Sequence, residues 1–276
     1  MKSLLEKLED FLSPLCKEGA ALAFSGGVDS TLLLAVLSKM QKKGSFPLLV
    51  LNAVSTLQSL QDKEAIDRAA IEYGIKVDRL SCDVLSLPEV RHNDLLRCYH
   101  CKKLLFKTML DFAAAQGIST LLEGSHADDL KAYRPGRKAL EELGVVSPFA
   151  RLGITKQQIR SMAALLNVAV AERPAAPCLA TRFDYGTLLT AEKLQQTAEG
   201  ERFLRTFLPA NADLRLRVHG TLARIEVNKC FFSLLLSRSE EIADTLKKIG
   251  FERVTLDLAG FASGSYDGKL NKTEER

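Results

Sequence analysis

A chain of 276 residues can bury a full core, in one large domain or two smaller ones. Its 38 basic and 34 acidic residues leave a formal charge of +4 spread along the whole sequence, so composition offers no strong electrostatic case for RNA or another polyanion as partner. No stretch is long and apolar enough to span a bilayer or to form a signal-peptide core. The protein is therefore expected in the cytoplasm, with no membrane partner and with its six cysteines kept as thiols.

Leu4, Leu5, Leu8, Phe11, Leu12 and Leu15 recur at helical spacing and predict a first helix within Met1 to Lys17. Ala20 to Ser25 reads as a short buried strand, Ser30 to Lys43 as a helix, and Pro47 to Val54 as a second strand. The alternation continues with a helix from about Gln58 to Tyr73, a strand Lys76 to Cys82, a helix from about Cys101 to Gln116 and a strand Thr120 to Gly124. Such βαβ alternation implies an α/β fold with a doubly wound parallel sheet and ligands at the carboxyl ends of its strands. Helices around Arg137 to Leu143 and Thr155 to Asn167 close this first domain, 1–167. The stretch 168–190, with Pro174, Pro177 and Gly186, has few periodic apolar residues and reads as a long functional connection. A helix Ala191 to Phe207, a hairpin within Leu214 to Val227, a helix near Glu240 to Ile249 and a strand Arg253 to Leu258 predict a smaller α+β domain, 191–276, ending in a loose polar tail from Ser265.

The strand Ala20 to Phe24 runs directly into Ser25-Gly26-Gly27-Val28-Asp29-Ser30-Thr31 and then a helix. Backbone N–H groups and the positive helix end converge there, and paired glycines let an anion approach without Cβ clashes. Ser25, Ser30 and Thr31 add hydroxyl donors, while Asp29 orients the loop or meets a cation. A bare glycine pair would suggest only a tight turn; the full string after a strand points to phosphate binding. No Gly-Lys-Ser/Thr follows, so this is not a Walker A loop. The segment resembles the PP-loop of ATP pyrophosphatases, whose members bind ATP here and release pyrophosphate after adenylating a substrate.

Cys98 and Cys101 form a C-x-x-C pair at a helix start, where the dipole favours the thiolate. No second such pair completes a zinc finger. Cys178, in the long connection, is the remaining candidate. Three cysteines suit a [4Fe-4S] cluster with one iron open to a non-protein ligand, against the plainer reading of three unrelated thiols. Cys16, Cys82 and Cys230 lie on apolar patterns and read as small core residues.

The order SGGVDS, Arg97-Cys98-Tyr99-x-Cys101-Lys102, Glu123-Gly124-Ser125-His126-Ala127-Asp128-Asp129, Tyr133-Arg134-Pro135-Gly136, Ser147-Pro148, Lys156 with Ile159-Arg160, Cys178-Leu179-Ala180-Thr181-Arg182-Phe183-x-Tyr185-Gly186, and Arg215-x-Arg217-Val218-His219-Gly220 through Ala223-Arg224-Ile225-Glu226 resembles the LarE family from about residue 3 to about residue 265. Arg173, where Lys is usual, and His126, where Asn is common, depart from it. The resemblance implies a pyridinium-3,5-bisthiocarboxylate mononucleotide sulfur transferase of nickel-pincer nucleotide biosynthesis. Such an enzyme adenylates a carboxylate of pyridinium-3,5-biscarboxylate mononucleotide and inserts sulfur. In single-cysteine members the residue matching Cys178 surrenders its sulfur and becomes dehydroalanine. In others three cysteines hold an iron–sulfur cluster, and Cys98, Cys101 and Cys178 match that type. The resemblance further implies ATP and Mg²⁺ at Ser25, Gly26, Gly27, Asp29, Ser30, Thr31, Arg97, Gly124 and Asp128, a homo-oligomer, and a downstream nickel-insertion protein as partner.

Of the two adjacent acids, Asp128 reads as the one near metal or nucleotide and Asp129 as a cap for the following helix. In the hairpin, Leu214, Leu216 and Val218 alternate with Arg215 and Arg217, and Ala223, Ile225 and Val227 with Arg224 and Glu226, giving one apolar and one charged face. Solvated surface is the ordinary fate of such charges. Against it, three arginines on one face form a receptor for the substrate's phosphate and carboxylate, with Glu226 holding a guanidinium. Resemblance adds Glu201 and Arg182 to the substrate site and leaves Tyr99 and His100 without roles. Competing readings are a PP-loop tRNA-thiolating enzyme, disfavoured by the balanced charge, an ammonia-using amide synthetase, and a non-catalytic ATP-binding module.

Overall fold

The computed structural model describes residues 1–44, 46–130, 135–168 and 177–262. Tyr133 and Arg134, Arg173 with the first part of the long connection, and the tail from Ser265 lie outside the described residues. The chain forms two compact units, one of Met1–Val90 with Leu95–Arg173, the other of Arg91–Asp94 with Pro174–Arg276.

In the first unit, α1 (Lys2–Leu15) turns Leu5, Leu8 and Leu12 inward and leads to β1 (Ala20–Ala23). Then come α2 (Val28–Lys43), β2 (Leu48–Val54), α3 (Leu60–Tyr73), β3 (Val77–Ser81), the short α4 (Pro88–Arg91), α5 (Arg97–Ala115) and β4 (Leu121–Leu122). Helices α6 (Pro135–Glu142), α7 (Pro148–Arg151) and α8 (Lys156–Leu165) complete it. All four strands pair in parallel in the order β3-β2-β1-β4, the predicted doubly wound sheet. Because β1 is covered on both faces, its side chains divide with a period of two. Leu22 and Phe24 join Leu8, Leu12 and Leu33 on one side, while Ala21 and Ala23 join Phe106, Met109 and Leu140 on the other. The strand order reverses at β1, so the crevice beyond its carboxyl end is where such a sheet receives a ligand.

The short helices α4 and α7 were not expected, and two of the boundaries that differ from expectation lie beside candidate site residues. The fifth helix begins at Arg97 rather than Cys101, since the amides of Tyr99 and His100 both donate to the Leu96 carbonyl; this first turn carries no apolar stripe to reveal it. The fourth strand stops after Leu122 because the Glu123 carboxylate turns to accept from Ser125, at 3.0 Å from its amide and 2.8 Å from its hydroxyl, and from the Ser147 hydroxyl.

The second unit holds α9 (Ala191–Arg205), β5 (Leu214–His219), β6 (Leu222–Val227), α10 (Phe232–Leu236), α11 (Ser239–Ile249) and β7 (Arg253–Leu256). β5 and β6 are antiparallel about a two-residue turn whose first residue, Gly220, has φ +61°, a geometry that favours glycine. β7 adds in parallel to β6, giving a small mixed sheet ordered β5-β6-β7. The hairpin's charged face is not solvated, contrary to the ordinary fate of such residues: Arg215, Arg217 and Glu226 are buried. Its apolar face meets α9 so closely that a Cβ on Gly200 would stand 2.5 Å from Leu216 Cδ2. Over its charged face lies the turn after Cys178, where Arg217 donates to the Thr181 carbonyl. Among the described residues no helix is long and apolar enough to cross a membrane.

Candidate active site

The loop between β1 and α2 is shaped by close approaches that only glycine permits. Gly26 has φ +73°, and α3 presses on it so that a Cβ there would lie 3.0 Å from Ile66 Cγ1 and 3.1 Å from the Ile66 amide nitrogen. Gly27 occupies the N-cap position of α2 and supplies no capping side chain, so the first amides of that helix keep the positive end they present to an anion. The hydroxyls expected to act as phosphate donors also have partners within the loop. Ser30 Oγ and Thr31 Oγ1 donate to the Gly27 carbonyl at 3.1 and 2.9 Å, and Ser25 Oγ accepts from the Gly27 amide at 3.4 Å and lies 3.1 Å from Ser30 Oγ. These bonds hold the turn. Gly124, at the end of the neighbouring strand, closes the far wall: a Cβ would stand 3.0 Å from Asp29 Cβ and 3.1 Å from the Ser30 amide nitrogen.

Asp29 meets a cation, and that cation is Lys156. The Lys156 ammonium lies 2.6 and 2.7 Å from the two carboxylate oxygens of Asp29, and the Lys156 amide, first of α8, donates to Asp128 at 2.8 Å. Asp128 thus serves the N-terminus of α8. Asp129, expected to cap a helix, is instead buried and accepts from the His126 amide at 3.1 Å. The sequence shows neighbouring acids but not that one of them reaches an amide 28 residues away. Lys156 brings a positive charge to the phosphate loop that sequence reading noted only as part of a string. Lys156→Ala is expected to raise the KM for ATP about 10- to 100-fold, the effect of removing a charge-assisted contact and exposing the Asp29 carboxylate to the incoming triphosphate. Initial rates of pyrophosphate release across ATP concentrations check this; an unchanged KM would place Lys156 outside ATP binding.

Cys98 and Cys101 are half-buried in the first turns of α5, beside the buried Arg97. Helix α6 crosses tightly over them, with a Cβ on Gly136 2.7 Å from Lys102 Cδ and 3.2 Å from the Cys98 carbonyl. Tyr99 is engaged at the surface: its hydroxyl donates to Glu142 at 2.7 Å and accepts from Lys103 at 2.8 Å. The Lys103 ammonium, which also donates to Glu142 at 2.8 Å, and the Tyr99 hydroxyl lower the Glu142 pKa. His100 stacks edge-on against Tyr99 at 5.0 Å. Among the described residues no group of three or more His, Cys, Asp or Glu side chains stands together as a metal site, so the three-cysteine cluster gains no support. Cys16 and Cys82 are buried as expected, and burial pushes the Cys16 thiol up to about 11. Cys230 is a correction, for the short 3-10 turn Lys229–Phe231 leaves it exposed.

In the second unit Cys178 precedes a 3-10 turn, Leu179–Arg182. Its carbonyl accepts from the Thr181 hydroxyl at 2.8 Å, the Thr181 amide at 3.1 Å and Arg182 Nη1 at 3.2 Å; the same Arg182 nitrogen reaches the Pro177 carbonyl at 2.6 Å. Arg182 is locked by a two-point pair with Glu201, at 2.8 and 2.9 Å, and Glu201 also accepts from the Leu216 amide at 3.0 Å. Next to it Glu226 accepts from Arg217 and from Arg224, each at 3.0 Å. Arg215, 4.8 Å over the Phe261 ring, has its pKa lowered by burial first and then by Arg217 and Arg182. The structure therefore gathers Cys178, Arg182, Glu201, Arg215, Arg217, Arg224 and Glu226 in one unit. Among the described residues these four guanidiniums face the carboxylates of Glu201, Glu226 and Asp257, and guanidinium forks fixed in this way are suited to an anionic ligand.

A parallel sheet whose first strand opens through paired glycines into an uncapped helix, with a lysine brought to that helix end, defines a PP-loop ATP pyrophosphatase; the model of the PP-loop domain matches residues 1–132. The chain is 34% identical over 274 residues to an uncharacterized protein of Synechocystis, covering 99% of this chain and 100% of that one. It is 32% identical over 256 residues, 92% of this chain and 90% of the relative, to the pyridinium-3,5-bisthiocarboxylic acid mononucleotide synthase of Lactiplantibacillus plantarum. An uncharacterized protein of Methanocaldococcus jannaschii is 28% identical over 263 residues. The chain belongs to the LarE family of PP-loop enzymes, which adenylate a substrate with ATP and transfer sulfur to it.

Proposed function

We propose that the protein converts a carboxylate of pyridinium-3,5-biscarboxylate mononucleotide to a thiocarboxylate, in nickel-pincer nucleotide biosynthesis in the cytoplasm. In this reading residues 1–167 take MgATP, 168–190 carry the reacting thiol, and 191–276 hold the substrate. MgATP enters as a substrate: the amides at the start of α2, with Lys156, take its phosphates, and Asp29 and Asp128 are the carboxylates beside them.

The substrate carboxylate displaces pyrophosphate from the α-phosphorus, forming an acyl-adenylate. A carboxylate oxygen is a poor leaving group and AMP a good one, so the carbonyl carbon becomes open to attack. The Cys178 thiolate attacks it, AMP departs, and a thioester joins substrate to protein. Loss of the Cys178 α-proton then breaks the Cβ–Sγ bond, releasing the thiocarboxylate and leaving dehydroalanine. No step is routed through a cluster. The observation that carries this reading is the placement of Cys178 at the head of a turn held by Arg182 and Arg217, with Arg215 near both guanidiniums, charges suited to a phosphate and two carboxylates. Homo-oligomerisation and a nickel-inserting partner downstream belong to the same proposal.

The test is incubation of anaerobically purified protein with MgATP and the biscarboxylate mononucleotide. Expected are substrate-dependent pyrophosphate release, a product with one oxygen replaced by sulfur, and protein lighter by the mass of H₂S. Pyrophosphate release without any sulfur-containing product would remove the transfer reading and leave the adenylating one.

A further inference from the structure

We propose that Asn93 is a positioning residue for the Cys178 turn, holding the thiol in the geometry that sulfur transfer needs. The inference rests on Cys178 as the reacting thiol. Asn93 belongs to the short piece Arg91–Asp94, which packs into the second unit although the chain on both sides of it belongs to the first.

Three features set this residue apart. It is 0% exposed. Its φ of +50° is one of only two positive values among the described residues other than glycine. Its side-chain nitrogen faces three carbonyls of one turn, Asp184 at 2.8 Å, Phe183 at 3.2 Å and Ala180 at 3.4 Å, while its buried Oδ1 has no hydrogen-bond partner among the described residues. A left-handed backbone and an unsatisfied buried oxygen both oppose folding, and such features persist where surrounding contacts over-determine them. The over-determining contacts all lead to the segment after Cys178. The Asn93 carbonyl accepts from the Gly186 amide at 3.3 Å, and the Arg91 carbonyl from the Leu189 amide at 2.7 Å.

Together with its neighbours Asn93 completes a set of donors for the whole turn. Arg182 and Thr181 serve the Pro177 and Cys178 carbonyls, and Arg217 serves Thr181. Asn93 serves Ala180, Phe183 and Asp184, and His219 Nδ1 lies 2.8 Å from the Asp184 carboxylate. The guanidinium groups that hold the front of the turn are also placed to meet substrate. Among the described residues the hydrogen bonds of Asn93 reach backbone groups of 180–186 and not the arginines, so it holds the rear of the turn independently of ligand.

Asn93→Gly tests this directly, because glycine accepts φ +50° and the change removes only the amide. Asn93→Asp keeps the shape and exchanges the donor for an acceptor facing three carbonyls. Each variant is assayed for pyrophosphate release, for thiocarboxylate formation and for the rate at which iodoacetamide alkylates Cys178. Expected is a fall of about a hundredfold in thiocarboxylate formation, the cost of displacing a reacting group by about 1 Å, with a much smaller fall in pyrophosphate release and faster alkylation of Cys178. Equal losses in both steps, or an unaltered alkylation rate and full sulfur transfer in a folded variant, would overturn the proposal, as would failure of both variants to fold. Cys178→Ala run alongside separates the two ideas: sulfur transfer surviving in that variant removes the thiol reading, whereas the alkylation measurement judges Asn93 alone.

Discussion

Cys178→Ala is expected to abolish thiocarboxylate formation, by a factor of about 10³ or more, while pyrophosphate release remains measurable. The physical basis is a division of labour within the sequence of bonds. In the proposed reaction adenylation relies on the amides at the start of α2 and the Lys156 ammonium, and no thiol takes part in it. The substitution deletes one sulfur atom from a turn whose order comes from its backbone. The Cys178 carbonyl, which accepts from Thr181 and Arg182, is unchanged, so the turn and its arginines stay in place. The measurement is paired: a coupled pyrophosphate assay and mass analysis of the nucleotide product from one reaction. Product formation persisting in the alanine variant would show that sulfur reaches the acyl-adenylate by a route that bypasses this residue. Cys178→Ser offers a check of the same logic, since its hydroxyl can accept the acyl group but can deliver only oxygen.

Arg217→Ala is expected to destabilise the second unit by about 3–5 kcal/mol, the cost of leaving one member of a buried ion pair without the other. Arg217 is 1% exposed and Glu226 2%, and their bond is 3.0 Å. The change also removes the donor to the Thr181 carbonyl, so the turn after Cys178 loosens with it. Urea unfolding followed by circular dichroism measures the loss. Arg217→Met combined with Glu226→Leu is expected to lose less than Arg217→Ala alone, because it removes both charges rather than stranding one. A loss under about 1 kcal/mol for Arg217→Ala would mean that Glu226 is satisfied by Arg224 and solvent, and the pair would then carry no structural weight. Arg224 is the more exposed partner of Glu226, and its loss is expected to cost less.

Much of the fold was legible because its signals are local. The apolar run of β1 and the Gly26-Gly27 pair announce a strand and a phosphate turn within a few residues, and the alternation of β2, α3 and β3 repeats at regular lengths. Legibility failed where the signal was weak or the partner distant. The first turn of α5 carries Arg97, Cys98 and Cys101 with no apolar period. Cys230 sits in an apolar string yet is exposed, because periodicity there is broken by a short turn. Asp128 meets the Lys156 amide 28 residues away, a partner set by packing that the acidic pair itself does not record.

What the sequence by itself determined is the architecture and the chemical class: a doubly wound sheet opening into a glycine-lined phosphate loop, a second smaller unit, and the family strings that connect them. Only the tertiary structure decided which charges become partners. Lys156 reaches Asp29 across 127 residues of chain, and Asn93 reaches Asp184 across 91. Strand and turn signals arise from backbone geometry over a few neighbouring residues and can be read in order. An ion pair or a buried amide acquires its partner only when folding removes water from both groups, and nothing in the spacing of the letters records which two those will be.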